Sequence, residues 1–284
     1  MDRIFYYAFA DESSPMVDGQ IDALKRNGLD GIEIRNVDDV NVADITLDKA
    51  REVKAKFDNN GLKIWSIGSP IGKIDIEKDD FKAHLEKLKH TIEIANILGA
   101  ENMRMFSFYI PEGKDPAIFK NEVIDRLSVM EEIARGTGVT LCHENEKGIY
   151  GDTTERCLDI YTAIPNIKGV FDPANMVQCK EDTKEAFARL SKYLKYIHIK
   201  DALEDGNVVP AGEGAGNIRH IIEQYIKMGG RHITLEPHLA VFSGLAGLEK
   251  KGEEIQVGKT KSFGSNEEAF DAGCAALRKV TEGL

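Results

Sequence analysis

Short apolar runs alternate with longer stretches of helical periodicity along the whole chain. Such runs are typical of buried strands, and they lie at residues 3–10, 30–35, 62–68, 101–107, 138–144, 167–172, 194–200 and 231–236. Between them the pattern predicts helices near 15–27, 47–59, 80–98, 116–136, 153–163, 183–192, 216–228 and 265–282. This alternation calls for parallel strands joined by helical crossovers.

Eight strand–helix units in 284 residues match the size of a (β/α)8 TIM barrel of the α/β class. A doubly wound open sheet is the alternative, but no GxGxxG or GxxxxGK[ST] loop follows any predicted strand. No low-complexity or Pro/Gly/Ser-rich linker interrupts residues 1–284, so we interpret them as a single barrel domain. An extended loop, residues 239–265, follows strand eight, and loops of that length usually act as lids or oligomer contacts.

Four of the predicted strands stop at, or contain near their end, a side chain that can bind a metal ion. VTLCHE ends at Glu144, KGVFD at Asp172 and HITLE at Glu236, while YIHIK contains His198. Three carboxylates and one imidazole suit a hard divalent cation. A single strand-end carboxylate could equally cap a helix or pair with a lysine. Four ligands on four successive strands favour a common site, because barrel sites lie at the C-terminal strand ends.

Other polar residues are expected near this site because side chains two apart on a strand face the same side. Glu33 and Arg35 on strand two and Arg104 on strand four point inward, where Glu33 and Arg104 could bind substrate or form a buried structural ion pair. Lys200 follows His198 by two positions, so it shares the cavity, where it could hold an anionic oxygen of the substrate or pair with Glu236 or Asp172.

The loops after the strands offer further candidates for substrate binding. Lys147 and Glu146 follow Glu144, Asn175 lies in the DPAN motif, and His238 faces inward two residues beyond Glu236. Glu213 in the glycine-flanked GEG turn is either a substrate contact or a surface carboxylate. The remaining histidines are assigned no role: His143 and His232 are expected to face the helices, and His84, His90 and His220 to lie on solvated helix surfaces.

Charge and composition exclude several classes of protein. A net charge of −11 disfavours nucleic acid and anionic membranes as partners. The N-terminus lacks the basic start of a signal peptide, and no apolar stretch reaches the roughly 18 residues of a membrane span, so a cytoplasmic protein is expected. The 4 cysteines have no CxxC spacing, which argues against a zinc knuckle.

The chain resembles the xylose isomerase-like superfamily of sugar isomerases and epimerases, which is related to the metal-dependent apurinic endonucleases. The residues that carry the resemblance are GIEIR (31–35), WSIGSPIGK (65–73), HENEKGIYGDT (143–153), VFDPANM (170–176), YIHIKD (196–201), AGEGAGN (211–217) and TLEPH (234–238). The resemblance implies that Glu144, Asp172, His198 and Glu236 bind one divalent ion. Manganese is the first expectation, and magnesium, cobalt and zinc are alternatives.

A cation chelated by neighbouring carbonyl and hydroxyl oxygens of a sugar acidifies the adjacent C–H and stabilises an enediolate. Glu144 and Glu236 are the candidate catalytic pair for moving the proton. The expected function is therefore isomerisation or epimerisation of a ketose or polyol. A lyase or dehydratase acting on a keto sugar or keto-inositol is the chemical alternative. An apurinic endonuclease needs more histidines, and a non-catalytic sugar-binding protein would not need the full ligand set.

The expected partners are a small sugar or polyol substrate and further copies of the chain, in a dimer or tetramer. The loop at 239–265 carries Lys250, Lys251, Lys259 and Lys261 in an otherwise acidic protein. We expect this loop to cover the site or to hold a carboxylate or phosphate of the substrate.

Overall fold

The computed structural model describes residues 3–245 and 256–284. Within them, eight parallel strands close into a barrel in chain order, which confirms the predicted α/β (β/α)8 fold. The strands are β1 Phe5–Ala8, β2 Gly31–Ile34, β3 Lys63–Gly68, β4 Asn102–Met105, β5 Thr140–Glu144, β6 Lys168–Phe171, β7 Leu194–Ile199 and β8 His232–Leu235. The barrel closes where β1 pairs with β8, from Phe5 opposite His232 to Ala8 opposite Leu235.

Helices surround the barrel, one after most strands. They are α1 Val17–Arg26, α2 Leu47–Asn59, α3 Phe81–Leu98, α4 Lys120–Ala134, α5 Thr154–Ala163, α6 Pro173–Gln178, α7 Thr183–Leu190, α8 Ile218–Lys227 and α9 Asn266–Thr281. Helix α3 shows why such segments begin and end where they do. The Asp80 side chain accepts the backbone N–H groups of Lys82 and Ala83, and Gly99 ends the helix at a φ of 72°.

The short helix α6 lies directly after β6 and was not predicted. Its first residue is Pro173, and the Asp172 side chain caps it by accepting the backbone N–H of Asn175 at 2.8 Å. Asp172 therefore has the capping role that a strand-end carboxylate can have, but only its Oδ1 atom is used for it.

An aromatic cluster fills the barrel interior towards the N-terminal ends of the strands. Tyr7, Trp65 and Tyr196 are buried there, and His232 stacks on Trp65 with ring centroids 3.7 Å apart. The expected outward orientation of His232 is therefore wrong, because His232 has the same parity along β8 as Glu236. This packed layer closes the barrel at the N-terminal ends of the strands. The interior is therefore reached from the C-terminal ends of the strands.

The other unassigned histidines differ in their surroundings. His143 does face the helices, where its ring packs edge-on against Tyr161 of α5. Its Nε2 lies 2.9 Å from the Ser107 hydroxyl. His84 is buried and accepts the backbone N–H of Gly72 at 2.8 Å, so the expectation of a solvated side chain is wrong for it. His90 is half-buried, and His220 is exposed as expected.

Short irregular elements cover the C-terminal end of the barrel. Asp201–Ala202 pairs with Val208–Val209 in an antiparallel hairpin after β7. The residues after position 255 pack on this hairpin, since Val208 donates its N–H to the Gln256 carbonyl and Thr260 donates its hydroxyl to the Val208 carbonyl. Similar short strands, Asn36–Val37 and Val40–Asn41, follow β2.

Among the described helices, none is both long enough and apolar enough to cross a membrane.

Candidate active site

The four residues at the ends of β5 to β8 converge at the top of the barrel. Glu144, Asp172, His198 and Glu236 are all buried, and each offers a ligand atom within 4.8 Å of the others. His198 Nδ1 lies 3.1 Å from Glu144 Oε1 and 3.7 Å from Glu236 Oε2. The predicted strand ends therefore bring together a group that could hold a metal ion.

The hydrogen bonding of this group leaves room for a further ligand. Glu144 Oε2 lies 3.2 Å from Arg104 Nη1, and Asp172 Oδ2 lies 3.0 Å from Lys200 Nζ. Both oxygens are buried and neither accepts a hydrogen bond from the described residues. Buried carboxylate oxygens usually have hydrogen-bond partners, so these two have lone pairs available to a cation.

The charges around the group also favour a bound cation. The buried carboxylates are those of Asp11, Glu12, Glu33, Glu144, Asp172 and Glu236, whereas the permanently charged cations buried with them are Arg35, Arg104 and Lys200. Negative charge thus exceeds permanent positive charge by roughly three in a low-dielectric environment, which is costly without compensation. A divalent ion removes most of that excess, so the donor set fits such an ion.

Arg104 and Lys200 lie directly beside the candidate ligands. Arg104 pairs with Glu144 and, at 3.7 Å, with Glu236, rather than forming a direct pair with Glu33. Lys200 Nζ lies 3.0 Å from Asp172 and 3.1 Å from Glu236 Oε2. Both cations are positioned to stabilise negative charge that develops on a substrate oxygen.

Glu33 lies beneath His198 instead of lining the cavity. Its Oε2 is 3.1 Å from His198 Nε2, and its Oε1 accepts the Tyr196 hydroxyl at 2.6 Å and the Ser66 hydroxyl at 3.3 Å. Glu33 was predicted to contact substrate or pair with Arg104, and the structure places it behind the imidazole. A carboxylate in that position fixes the ring and directs Nδ1 towards Glu144 and Glu236.

The protonation of the group follows from its burial and its close charges. Burial raises the pKa of Glu144, but the positive charges of His198 and Arg104 outweigh burial and lower this pKa to about 2. Burial raises the pKa of Asp172 to about 6, because Lys200 offsets it only in part. Burial lowers the pKa of His198, whereas Glu144 and Glu33 raise it, to about 10 on balance.

A narrow cavity opens above these residues towards solvent. Besides Glu144, Glu236, Arg104 and Lys200, its lining includes Lys73, Glu146, Lys147, Asn175, Gln178, Val208, His238, Gln256 and Val257. Five of the residues predicted to bind substrate therefore line this cavity: Arg104, Lys147, Asn175, Lys200 and His238. Asn175 Nδ2 also points to the centre, 3.4 Å from Glu144 Oε1.

His238 occupies an unusual backbone conformation at the edge of this cavity. Its φ is 47°, which is uncommon for a residue other than glycine. The Glu12 carboxylate accepts its backbone N–H at 2.7 Å and lies 3.0 Å from its ring Nδ1. Glu12 thereby places the imidazole beside Glu236, with Nε2 3.9 Å from Glu236 Oε1.

Glu213 is not brought to the cavity. Its side chain is exposed and forms an ion pair with Lys261 at 2.7 Å, which matches the surface alternative considered for it. Gln256 and Val257 show that part of the loop after β8 does reach the cavity. Lys250 and Lys251, which were expected to cover the site or hold an anion, lie outside the described residues.

Several residues around the site were missed by the sequence analysis. Asp11 and Glu12 follow the predicted strand at 3–10 directly, so the signal was the same as for Glu144: an apolar run that ends at carboxylates. Arg35 was expected to point inward, but its ion pairs with Asp11, Glu12 and Glu236 were not predicted. These partners lie far from Arg35 in the sequence, so only the folded barrel brings them together. Lys73, which pairs with Glu146 at 2.7 Å, had no signal beyond its loop position.

Comparison with protein families assigns this architecture. A family model described as a xylose isomerase-like TIM barrel matches residues 21–260. The chain belongs to this family. The match confirms the resemblance seen in the sequence, and it covers all eight strands except β1. No curated protein matches the chain in sequence.

Solved structures of related barrels are similar over almost the whole length of this family member. The D-psicose 3-epimerase of Clostridium cellulolyticum H10, solved with D-tagatose, is 17% identical with a TM-score of 0.74 and 98% coverage of both chains. The probable 3-DHS dehydratase AsbF of Bacillus anthracis is 16% identical, with a TM-score of 0.74 and coverage of 96% of this chain and 98% of that one. The IOLI protein with a bound zinc atom is 17% identical, with a TM-score of 0.73 and 98% coverage of both. At these identities the likeness shows the fold alone.

Proposed function

We propose that this protein is a divalent-metal-dependent isomerase or epimerase that acts on a ketose or related polyol by proton transfer. The observation that carries the proposal is the convergence of Glu144, Asp172, His198 and Glu236 at the base of a cavity. Similar barrels include an epimerase solved with D-tagatose and a protein with a bound zinc atom, and both support this class of reaction and cofactor. Manganese remains the metal we propose first.

The ligands would be the three carboxylates and His198 Nδ1, and the ion would polarise a substrate carbonyl and acidify the neighbouring C–H. The other chemistry belongs to the side chains. Glu144 has a low pKa, so it is ionised at neutral pH. As the candidate base it would accept the proton of the substrate C–H. Glu236 is the candidate partner that returns the proton to another carbon or another face. Arg104 and Lys200 would stabilise negative charge that develops on substrate oxygens, since both line the cavity beside the two glutamates.

A dehydratase is the second candidate, and the position of Lys200 favours it. The Lys200 ammonium lies 3.1 Å from Glu236 Oε2 and lines the cavity. In that position it could give a proton to a leaving hydroxyl once a C–H proton has been removed. The probable 3-DHS dehydratase among the similar structures is consistent with such a use of the fold.

The experiment that tests the proposal is an assay of the manganese-loaded protein in D2O with D-psicose, D-tagatose and a keto-inositol. Isomerisation or epimerisation incorporates solvent deuterium into recovered sugar, whereas dehydration produces an unsaturated ketone that absorbs in the ultraviolet. We expect Glu144→Gln and Glu236→Gln each to lose about 100- to 10,000-fold in kcat. Glu213→Gln is the matched control, because it makes the same change at an exposed carboxylate, and it should retain activity within about twofold.

Two results would contradict the proposal. Full activity and full metal content in both Glu144→Gln and Glu236→Gln would show that neither glutamate is a catalytic residue or a required metal ligand. Tight sugar binding without turnover, with several metals supplied, would indicate a binding protein instead.

A further inference from the structure

A second group of possible metal ligands lies next to the first and shares Glu236 with it. Glu12, Glu236 and His238 are all buried, and they offer ligand atoms within 4.8 Å of one another. The two groups are thus adjacent, with the Oε2 atom of Glu236 on the His198 side and the Oε1 atom on the His238 side. A carboxylate shared in this way can bridge two cations.

A positive charge already contacts the second group of possible metal ligands. Arg35 Nη1 lies 2.8 Å from Glu236 Oε1, and Arg35 Nη2 lies 3.3 Å from Glu12 Oε1. The guanidinium therefore contacts two of the three possible ligands at the distances of hydrogen bonds. The third residue, His238, has a buried Nδ1 that forms no well-aligned hydrogen bond with the described residues, although Glu12 Oε1 is 3.0 Å away.

Arg35 is held firmly in this place. It is 1% exposed, its Nε and Nη2 atoms bind the two oxygens of Asp11 at 2.9 and 3.0 Å, and its guanidinium lies 4.4 Å from the Phe9 ring and 4.8 Å from the Phe242 ring. A cation that is buried, paired and stacked in this way cannot leave without exposing uncompensated carboxylates. The guanidinium is therefore a permanent part of the site.

We infer that the Arg35 guanidinium acts as a built-in cation at a second metal position formed by Glu12, Glu236 and His238. The guanidinium restricts the centre to the one divalent ion of the proposed function. The inference rests on the proposed function only for the presence of that first ion. The side chain supplies positive charge to Glu236 Oε1 and keeps a second ion away by charge repulsion and by occupying the space. Removing the guanidinium should open the second position to a cation of the same chemical class.

The test counts zinc in metal-depleted protein that is incubated with excess Zn²⁺ and then desalted, using elemental analysis per chain. We expect one zinc in the wild type and one additional zinc in Arg35→Gln. Arg35→Lys is the matched control, because it keeps the charge and should bind the same amount as wild type. The double variant Glu12→Gln/Arg35→Gln lacks a ligand of the second position and should also return to the wild-type count.

The inference is overturned if Arg35→Gln binds no more zinc than wild type, or if the double variant still binds the additional ion. If Arg35→Gln does not fold without metal, the zinc equivalents needed to restore its near-ultraviolet circular dichroism are counted instead, with the same two outcomes. A wild type that binds no zinc, and no manganese when the count is repeated with Mn²⁺, would contradict the proposed function. The additional equivalent in Arg35→Gln would still decide the inference, because it is measured relative to wild type.

Discussion

At the scale of single residues, the buried side chains beneath the candidate metal ligands determine how those ligands point. His198 lies between two carboxylates, Glu144 on the cavity side and Glu33 on the barrel side. A neutral imidazole that donates Nε2–H to Glu33 presents Nδ1 to a metal ion. Tyr196 and Ser66 in turn orient Glu33 by donating their hydroxyls to it. The orientation of this candidate ligand is thus set by contacts that run from His198 through Glu33 to Tyr196 and Ser66.

We expect Glu33→Gln to weaken metal binding by about 10- to 100-fold, because an amide is a poorer acceptor for the His198 N–H. The measurement is a competition for Zn²⁺ against a chelator of known affinity. Tyr196→Phe is the control, since it removes one hydrogen bond to Glu33 but leaves the carboxylate beside His198, and it should have a smaller effect. Equal affinity in Glu33→Gln and wild type would show that Glu33 does not position the histidine.

At the scale of elements, the loop after β7 shows why its sequence is rich in glycine. The Asp201 carboxylate accepts four backbone N–H groups, from Ala202, Gly212, Gly214 and Gly216, at 2.8 to 3.0 Å. A Cβ atom at Gly214 or Gly216 would lie 2.4 or 2.6 Å from Asp201 Oδ1. The glycines of AGEGAGN therefore allow the backbone to approach this carboxylate, which explains the motif without a substrate contact from Glu213.

Asp201→Asn is expected to lower the free energy of unfolding by about 1–3 kcal/mol, because one carboxylate oxygen becomes an amide donor that faces backbone N–H groups. Hydrogen exchange of the residues at 212–216 should become faster than in the wild type. Asp205→Asn makes the same change at an exposed carboxylate of the same hairpin, where the only described backbone bond is to Asn207, and it should cost less. Unchanged exchange at 212–216 would contradict the anchoring role.

At the scale of the whole molecule, the excess of buried negative charge couples stability, pH and metal binding. In the metal-free protein burial lowers the pKa of His198, but Glu144 and Glu33 raise it to about 10, against about 6.5 in an unfolded chain. The folded state therefore holds a proton that the unfolded state releases. The stabilising contribution is fully present below pH 6.5 and is lost as the pH rises towards 10. In the proposed function a metal ion at Nδ1 would replace this proton, so the affinity for the metal would increase over the same pH range.

We expect the melting temperature of chelator-treated protein to fall more steeply between pH 6.5 and 10 than that of manganese-saturated protein. The two curves should diverge over this pH range by about a few kcal/mol in the free energy of unfolding, which is the order expected for a pKa shift of several units. Buried cysteines also destabilise the fold at high pH, but they do so with and without metal, so the comparison removes their effect. His198→Asn should give two curves with the same slope, and parallel curves in the wild type would contradict the coupling.

The sequence by itself determined the barrel and the four strand-end ligand candidates, because strand periodicity and the alternation of side chains are local properties of the chain. The same rule, applied to Asp11 and Glu12 after β1, would have added the acidic residues that were missed. Only the tertiary structure decided that Glu33 supports His198, that Arg35 binds Glu236, and that Glu213 pairs with Lys261 on the surface. Those contacts join residues up to 201 positions apart, and they depend on barrel closure, strand register and rotamers, which local pattern does not encode.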